Sequence, residues 1–288
     1  AELTALESDG TLLEPERLNE REQAVHLLAF LNDALDGSAE ADATQADLRA
    51  RAAALSARFE AATALLVASL GGALRAGRIR GASLRALLDR YTTYRPTTLG
   101  FLHLNYEPVD VLIGGAFGLD RPVEETVPRT RDMVHLEFSP TSIVLEMADR
   151  LDLGPNDLFV DLGAGLGQVA VLVHLLTGVR ACGIDIEPNY VAAATRSARQ
   201  FGLRAVRFAV SDARQADYTA ATACYLFTPF HGQILRDVLA RLRDQADLRR
   251  LRICTYGPCT LEVARSGWLR SADGHLPHTS RLGLFVPR

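Results

Sequence analysis

The run Asp161-Leu162-Gly163-Ala164-Gly165-Leu166-Gly167 constrains this chain more than any other stretch. It lies between the apolar Leu158-Phe159-Val160 and a second apolar run, Val169–Leu176, which stops at Thr177-Gly178. A strand, a tight glycine turn and a helix, in that order, turn a glycine motif into a nucleotide-binding element. Glycines let backbone amides approach a ligand where a Cβ would collide. The first amides of the following helix have no intrahelical partner and face the same place. Such a unit asks for a parallel sheet with right-handed helical crossovers.

The spacing of the turn narrows the ligand. A dinucleotide fold wants G-x-G-x-x-G, and the place of the third glycine is taken by Gln168. Asp161, two residues before Gly163, is badly placed to face a pyrophosphate. A carboxylate there suits a cationic ligand, and S-adenosylmethionine carries both an ammonium and a sulfonium. Asp185 ends the next apolar run, Ala181-Cys182-Gly183-Ile184, 18 residues beyond Gly167, which leaves room for one helix and a return strand. At such a strand end a carboxylate accepts from ribose hydroxyls. A third run, Ala205–Val210, ends in Ser211-Asp212-Ala213, where a side chain reaches an adenine amino group. Three strand-end acids in register make an adenosyl cofactor the leading reading and an NAD-linked oxidoreductase a poor one.

The rest of the chain fits around this core. Strands are expected over Ala223–Thr228 and Arg252–Gly257, then an antiparallel pair over Gly267–Ala272 and Arg281–Val286. Helices are expected over Pro188–Phe201, Gln233–Leu242 and Thr260–Ser266. Ser139-Pro140 reads as N-cap and first turn of a helix whose inner face carries Ile143, Met147 and Leu151. Residues 1–90 read as a helical N-terminal extension. Its best stripe is Leu48, Ala52, Leu55, Phe59, Ala62 and Leu66, with breaks at Gly37-Ser38 and Gly71-Gly72. The stripe faces either its own domain or a second copy, so a homodimer through these helices is an expectation. Residues 91–135 are irregular but too apolar for a free linker. They are expected to pack on the domain formed by residues 136–288 and to form part of a substrate pocket or lid, with Tyr94, Tyr106 and Asp110 as candidates.

These elements resemble the seven-stranded class I S-adenosylmethionine-dependent methyltransferases over roughly residues 136–288. Within that class, Phe159–Val169 and the upstream Glu137-Phe138-Ser139-Pro140 are similar to the non-SET histone-lysine methyltransferases. The resemblance implies a Rossmann-like, doubly wound seven-stranded α/β sheet, mostly parallel with an antiparallel final strand. It implies that Asp161, Gly163 and Gln168 surround the methionine part of the cofactor, Asp185 the ribose and Asp212 the adenine. Gly165, Gly167, Ile186, Ala213 and Ser139 complete the candidate cofactor set, with S-adenosylhomocysteine as product. Where the family has an asparagine pair after the fourth strand, this chain has Phe227-Thr228.

The acceptor is less constrained. The switch in strand order between the first and fourth strands puts Thr228-Pro229-Phe230-His231 beside the transferable methyl. Thr228, Phe230 and Tyr256 are the candidate catalytic residues, and His231 is a candidate base. A net charge of −4 argues against a nucleic-acid partner and for a small-molecule or protein acceptor. A cofactor-binding module without catalysis, assembled through its N-terminal helices, is the alternative. Cys182, Cys224, Cys254 and Cys259 have no CxxC spacing and read as reduced core thiols. No metal site is expected, His275 and His278 reading as a surface loop and His174 as a core histidine. Every basic residue is arginine, the imprint of a GC-rich, bacterial genome. No apolar stretch is expected to reach the roughly eighteen residues that span a bilayer, and the acidic N-terminus is unlike a secretory signal. A cytoplasmic location and no membrane contact are expected.

Overall fold

A computed structural model of the chain describes residues 2–36, 43–93 and 106–288. The Gly37-Ser38 break and Tyr94 lie outside the described residues. The N-terminal part is helical: α1 (Glu2–Ser8), α2 (Leu18–Asp36), α3 (Ala43–Arg75), α4 (Gly81–Asp89) and α5 (Pro108–Phe117). Then come α6 (Thr141–Leu151), β1 (Leu158–Leu162), α7 (Gln168–Thr177), β2 (Arg180–Asp185), α8 (Pro188–Gln200) and β3 (Val206–Val210). The chain closes with β4 (Ala223–Phe227), α9 (Gly232–Gln245), β5 (Arg252–Tyr256), α10 (Cys259–Ala264), β6 (Leu269–Ser271) and β7 (Gly283–Pro287).

The seven strands lie in the order β3-β2-β1-β4-β5-β7-β6. β1 to β5 pair in parallel, while β7 lies antiparallel between β5 and β6. Order reverses between β1 and β4, the place where open α/β sheets bind ligands. Alternation along β1 divides the core. Phe159 joins the cluster under α6 and α7, whereas Val160 and Leu162 join the cluster under α9 and α10. The first cluster also takes in Leu70 and Leu74 of α3, Leu84 and Leu88 of α4, and Val109 and Leu112 of α5. The N-terminal helices therefore share one core with a face of the sheet.

Four sequence expectations change. Helix α3 runs unbroken through Gly71-Gly72. A Cβ on Gly71 would make only ordinary contact with α5, 3.5 Å from the Ala116 carbonyl oxygen, and one on Gly72 would meet open space, whereas one on Gly115 of α5 would stand 2.7 Å from Val67 Cγ1. Gly115 lets α3 and α5 approach, and Gly71-Gly72 are carried within the helix. The segment read as irregular contains α5, entered at Pro108 and left at Gly118 in the left-handed region. Its buried Val109, Leu112, Ile113, Ala116 and Phe117 keep helical spacing, but Val111, Gly114 and Gly115 on the outer side are not polar, so no hydropathy period shows. Ser139 is not the cap of α6, which starts at Thr141 with Pro140 before it and no side-chain cap bond. Finally, α3 holds an 18-residue window of mean hydropathy 1.4, long and apolar enough by composition to cross a membrane. Isolated charges interrupt the run, yet alanine and leucine keep its average high. Its Ala52, Leu55 and Phe59 pack with Leu28 of α2 in a small core of their own.

Candidate functional site

The glycine turn after β1 holds three residues in the left-handed region, Gly163 (φ 72°), Gly165 (φ 51°) and Gly167 (φ 82°). Each answers a different neighbour. A Cβ on Gly163 would stand 2.2 Å from Pro229 Cβ, beyond the end of β4. One on Gly165 would meet Leu136 at 2.4 Å. One on Gly167 would meet Phe208 of β3 and Ala194 of α8, at 2.6 and 2.7 Å. Thus Gly163 and Gly165 admit the walls of the crevice, and Gly167 lets α7 settle on the sheet. The Gly163 and Ala164 amides donate to the Ile184 carbonyl at 2.8 and 3.0 Å, tying the turn to β2.

Above the carboxyl ends of the strands lies a crevice of about 900 Å³, open on one side to solvent. Gly163, Asp185, Ile186, Asp212, Ala213 and Phe230, all candidates from sequence, line it. Asp185 accepts from the Gly165 amide at 2.8 Å and the Glu187 amide at 2.9 Å. Burial pushes its carboxyl up against those two bonds. Asp212 is gripped by Arg214, Nε to Oδ1 at 3.0 Å and Nη2 to Oδ2 at 2.6 Å, which draws its carboxyl down.

The inner end of the site faces α6 and α7. Asp161 is 4% exposed and makes no side-chain hydrogen bond or ion pair among the described residues. Burial, and then the nearby Asp185 charge, push its carboxyl to about 8. Tyr225, its register partner on β4, shares a 3.0 Å hydrogen bond with Ser139 Oγ. Gln168 Nε2 donates to the Ser139 carbonyl at 3.2 Å, while its buried Oε1 has no partner. Ser139 thus positions its neighbours. Neither Asp161 nor Gln168 is in the lining of the main crevice; Gln168 borders a second cavity with Tyr106, Asp110 and Phe138. Two buried acceptors without donors, Asp161 and Gln168 Oε1, are the pattern expected where a cation is to be received.

On the acceptor rim, Phe230 lines the crevice and its backbone bridges to Met133. Tyr256 is buried, its ring 5.2 Å from that of Phe227 at 42°. Thr228 sits at φ 41°, a strained conformation for a threonine. Its hydroxyl donates to the Tyr256 carbonyl and accepts from the Cys259 amide, both at 3.1 Å, so it braces the β4–β5 rim. His231 begins α9, half exposed, with Nδ1 3.9 Å from Asp132. Tyr106 donates to the Phe138 carbonyl at 2.6 Å, and Asp110 caps α5 and receives the Thr141 amide at 2.6 Å. His174 holds the Val179 carbonyl within the β2 approach. The four cysteines are free thiols, and no cluster of metal-ligating side chains occurs among the described residues.

The end of the 91–135 segment, read from sequence as part of a substrate pocket or lid, borders the crevice. The strap from Glu124 to Glu137 crosses the crevice and supplies Glu125, Val127, Arg129 and Leu136 to its lining. Glu187 pins one end, accepting from the Thr126 and Val127 amides at 2.7 and 2.9 Å while it caps α8 through Asn189 N. Burial opposes ionisation of Glu187, but these amides outweigh it and hold the carboxyl down at about 2. Tyr190 bonds Glu125, which also pairs with Arg129. The other end is fixed by Val134 N to the Pro229 carbonyl at 3.2 Å and His231 N to the Asp132 carbonyl at 3.0 Å. The Glu187-Pro188 pair was the available signal for the cap, since proline after an acceptor opens helices. Nothing local marks its partners, sixty residues earlier.

Strand order, glycine turn and strand-end carboxylates make this a class I methyltransferase fold. Within that class the chain has DOT1-like similarity, residues 131–220 matching the family described as histone methylation protein DOT1. No curated protein matches the chain. Among solved structures, an RNA methyltransferase from Salinibacter ruber in complex with S-adenosyl-L-homocysteine is 22% identical, with TM-score 0.44, over 53% of this chain and 95% of its own. Geranyl diphosphate C-methyltransferase from Streptomyces coelicolor A3(2) is 25% identical, with TM-score 0.35, over 40% of this chain and 42% of its own. MtNAS in complex with MTA and tNA is 17% identical, with TM-score 0.42, over 51% and 61%. The chain spans less than two thirds of the latter two.

Proposed function

We propose that this chain binds S-adenosylmethionine in the crevice and transfers its methyl group to an acceptor entering over the Phe230 rim. The observation that carries the reading is a crevice walled by Asp185 and Asp212 beside the glycine turn, whose flanking Asp161 and Gln168 are buried, Gln168 Oε1 without a partner. Asp161 and Gln168 receive the ammonium of the methionine part. Asp185, anchored from behind by two amides, turns its remaining lone pairs to the ribose. Ile186 and Ala213 flank the adenine, and Asp212 reaches its amino group while held by Arg214.

The bound cofactor supplies a methyl group already activated by positive sulfur. Asp161, Gln168, Asp185 and Asp212 would hold that cofactor, and the acceptor would have to stand in line with its methyl group. What remains for the protein is placement: holding the acceptor in line and excluding water is where such a site gains rate. The strap roofs the crevice, and Phe230, closing the rim, stacks on the acceptor or packs on the sulfonium. The acceptor itself is taken to be a small molecule or a protein side chain.

Calorimetric titration with S-adenosylhomocysteine and with NAD tests the reading. Binding of the former and not the latter is expected; binding of NAD alone overturns it. Labelled methyl transfer into extracted metabolites or lysate proteins then separates an enzyme from a binding module.

A further inference from the structure

The last strands and the helices beside them carry a concentration of charge that the whole-chain balance conceals. Residues 241–288 hold nine arginines against four carboxylates, within a chain of net charge −4. Two grooves take in seven of the nine. One, of about 860 Å³, runs between α9 and α10 and includes Arg243, Arg265 and Trp268. The other, of about 1240 Å³, lies at the amino end of β5 and the β6–β7 edge and includes Arg249, Arg270 and Arg288. Trp268 of the first and Arg288 of the second are neighbours, the Arg288 amide donating to the Trp268 carbonyl at 2.9 Å.

The acids nearby are already engaged. Asp157 pairs with Arg250 and Arg252 at 3.2 and 3.0 Å, Asp244 with Arg243 at 3.0 Å, and Glu262 receives the Gly232 amide at 3.2 Å. Asp247 is spent on backbone amides of its own turn. Arg249, Arg265 and Arg270 are exposed, and their side chains make no ion pair or hydrogen bond among the described residues. Three free guanidiniums, Arg265 in the first groove and Arg249 and Arg270 in the second, hold a surface potential that a partner with regularly spaced negative charge lowers. Trp268, half-buried beside Leu235 and Leu239, adds an aromatic wall to the first groove. Arginines interleaved with an aromatic face suit a single strand of nucleic acid, phosphates on the guanidiniums and a base on the ring.

We infer that this arginine-lined edge is a docking surface for single-stranded nucleic acid. The expectation against such a partner rested on net charge, an average that says nothing about one face. The groove with Arg249 and Arg270 lies at the end of the strands away from the crevice, while the groove along α9 begins beside the crevice rim. It names a partner and is independent of the acceptor.

Fluorescence anisotropy of labelled twelve-nucleotide oligouridylate and oligothymidylate, titrated with the full chain, tests the inference. With about four phosphate contacts, log affinity should fall against log salt with a slope of about −3, or about 50-fold from 50 to 200 mM salt. The double variant R249E/R270E should weaken binding at least tenfold, and Trp268→Ala at least fivefold. Neither should change calorimetric affinity for S-adenosylhomocysteine. Salt-insensitive or absent binding overturns the surface, as does R249E/R270E binding like the parent. Equal capture of heparin, with Trp268→Ala without effect, reduces it to unspecific attraction and overturns the nucleic-acid reading. If Trp268→Ala does not fold, the double arginine variant decides alone. A chain that binds the oligonucleotide and not S-adenosylhomocysteine keeps this surface and loses the proposed function; the reverse result does the opposite.

Discussion

At the scale of the residue, Asp161 and the glycines carry sharp consequences. Burial and the neighbouring Asp185 raise the Asp161 carboxyl to about 8, so at neutral pH it is protonated in the free protein. A cation placed against it favours the carboxylate, and binding then expels the proton. Calorimetry at pH 7 in buffers of different ionisation enthalpy should report release approaching one proton per S-adenosylmethionine, falling to none by pH 9. Affinity should rise with pH and level off above about 8. The sign for stability is opposite. The folded state holds this proton more tightly than the unfolded chain, so Asp161 contributes a loss of stability as pH climbs from the ordinary carboxylate range through 8. Asp161→Asn should raise the thermal midpoint of the free protein at pH 9 while weakening cofactor binding; a lowered midpoint there speaks against an isolated buried carboxylate. Gly183 makes a different point. A Cβ there would stand 2.4 Å from Phe208 Cδ1 and 2.7 Å from Ala164 Cβ. Gly183→Ala should cost about 1–3 kcal/mol by overpacking, read by chemical denaturation.

Among the elements, the strap tells most about what a sequence exposes. The glycine turn, the strand-end acids and the alternating strands and helices were legible because their signals are local: a few residues' spacing states them. The strap is held by contacts that span the chain, Glu187 to Thr126 and Val127, and Val134 to Pro229. No window of sequence contains both ends of such a bond. Helix α5 stayed hidden because its outer face carries Val111, Gly114 and Gly115 in place of polar residues, so its one-sided burial leaves no hydropathy period. Gly71-Gly72 misled because a helix interior tolerates glycine at a cost of only about 1 kcal/mol each. The prediction at this scale concerns Glu187, whose carboxyl is held down at about 2 by the amides it receives. A depressed acid contributes stability above its unfolded value that is lost as pH falls through its folded one. Glu187→Gln should therefore speed hydrogen exchange at Thr126 and Val127 at pH 7 and weaken S-adenosylhomocysteine binding. Lowering the pH of the parent protein from 4.5 towards 2 should reproduce the loosening. Unchanged exchange at those two amides removes Glu187 as the anchor.

For the molecule as a whole, the question is whether the N-terminal helices form a separate cap or part of the catalytic body. Residue order suggests a cap, because the adenosyl motifs all follow residue 136. Packing argues for one body. Leu84 and Leu88 of α4 are fully buried, and the cluster that holds them also holds Val144 of α6, Leu172 of α7 and Phe159 of β1. Arg85 adds an ion pair with Asp149 of α6 at 2.5 Å, and Arg80 donates to the Phe201 carbonyl, at the end of α8, at 2.9 Å. Exposed pairs of that kind contribute little; the apolar side chains carry the union. Leu84→Ala should cost about 2–5 kcal/mol, a large share of a typical domain's stability. Because one core serves both halves, thermal unfolding followed by far-ultraviolet circular dichroism and by Trp268 fluorescence should coincide in a single transition, and Leu84→Ala should move both together. A fragment of residues 136–288 should melt without cooperativity, its α6 and α7 stripped of their outer layer. Were that fragment to unfold in one sharp step and bind S-adenosylhomocysteine as the full chain does, the helices would be a detachable cap. Leu84 and Leu88 would then be packing against a surface that stands without them.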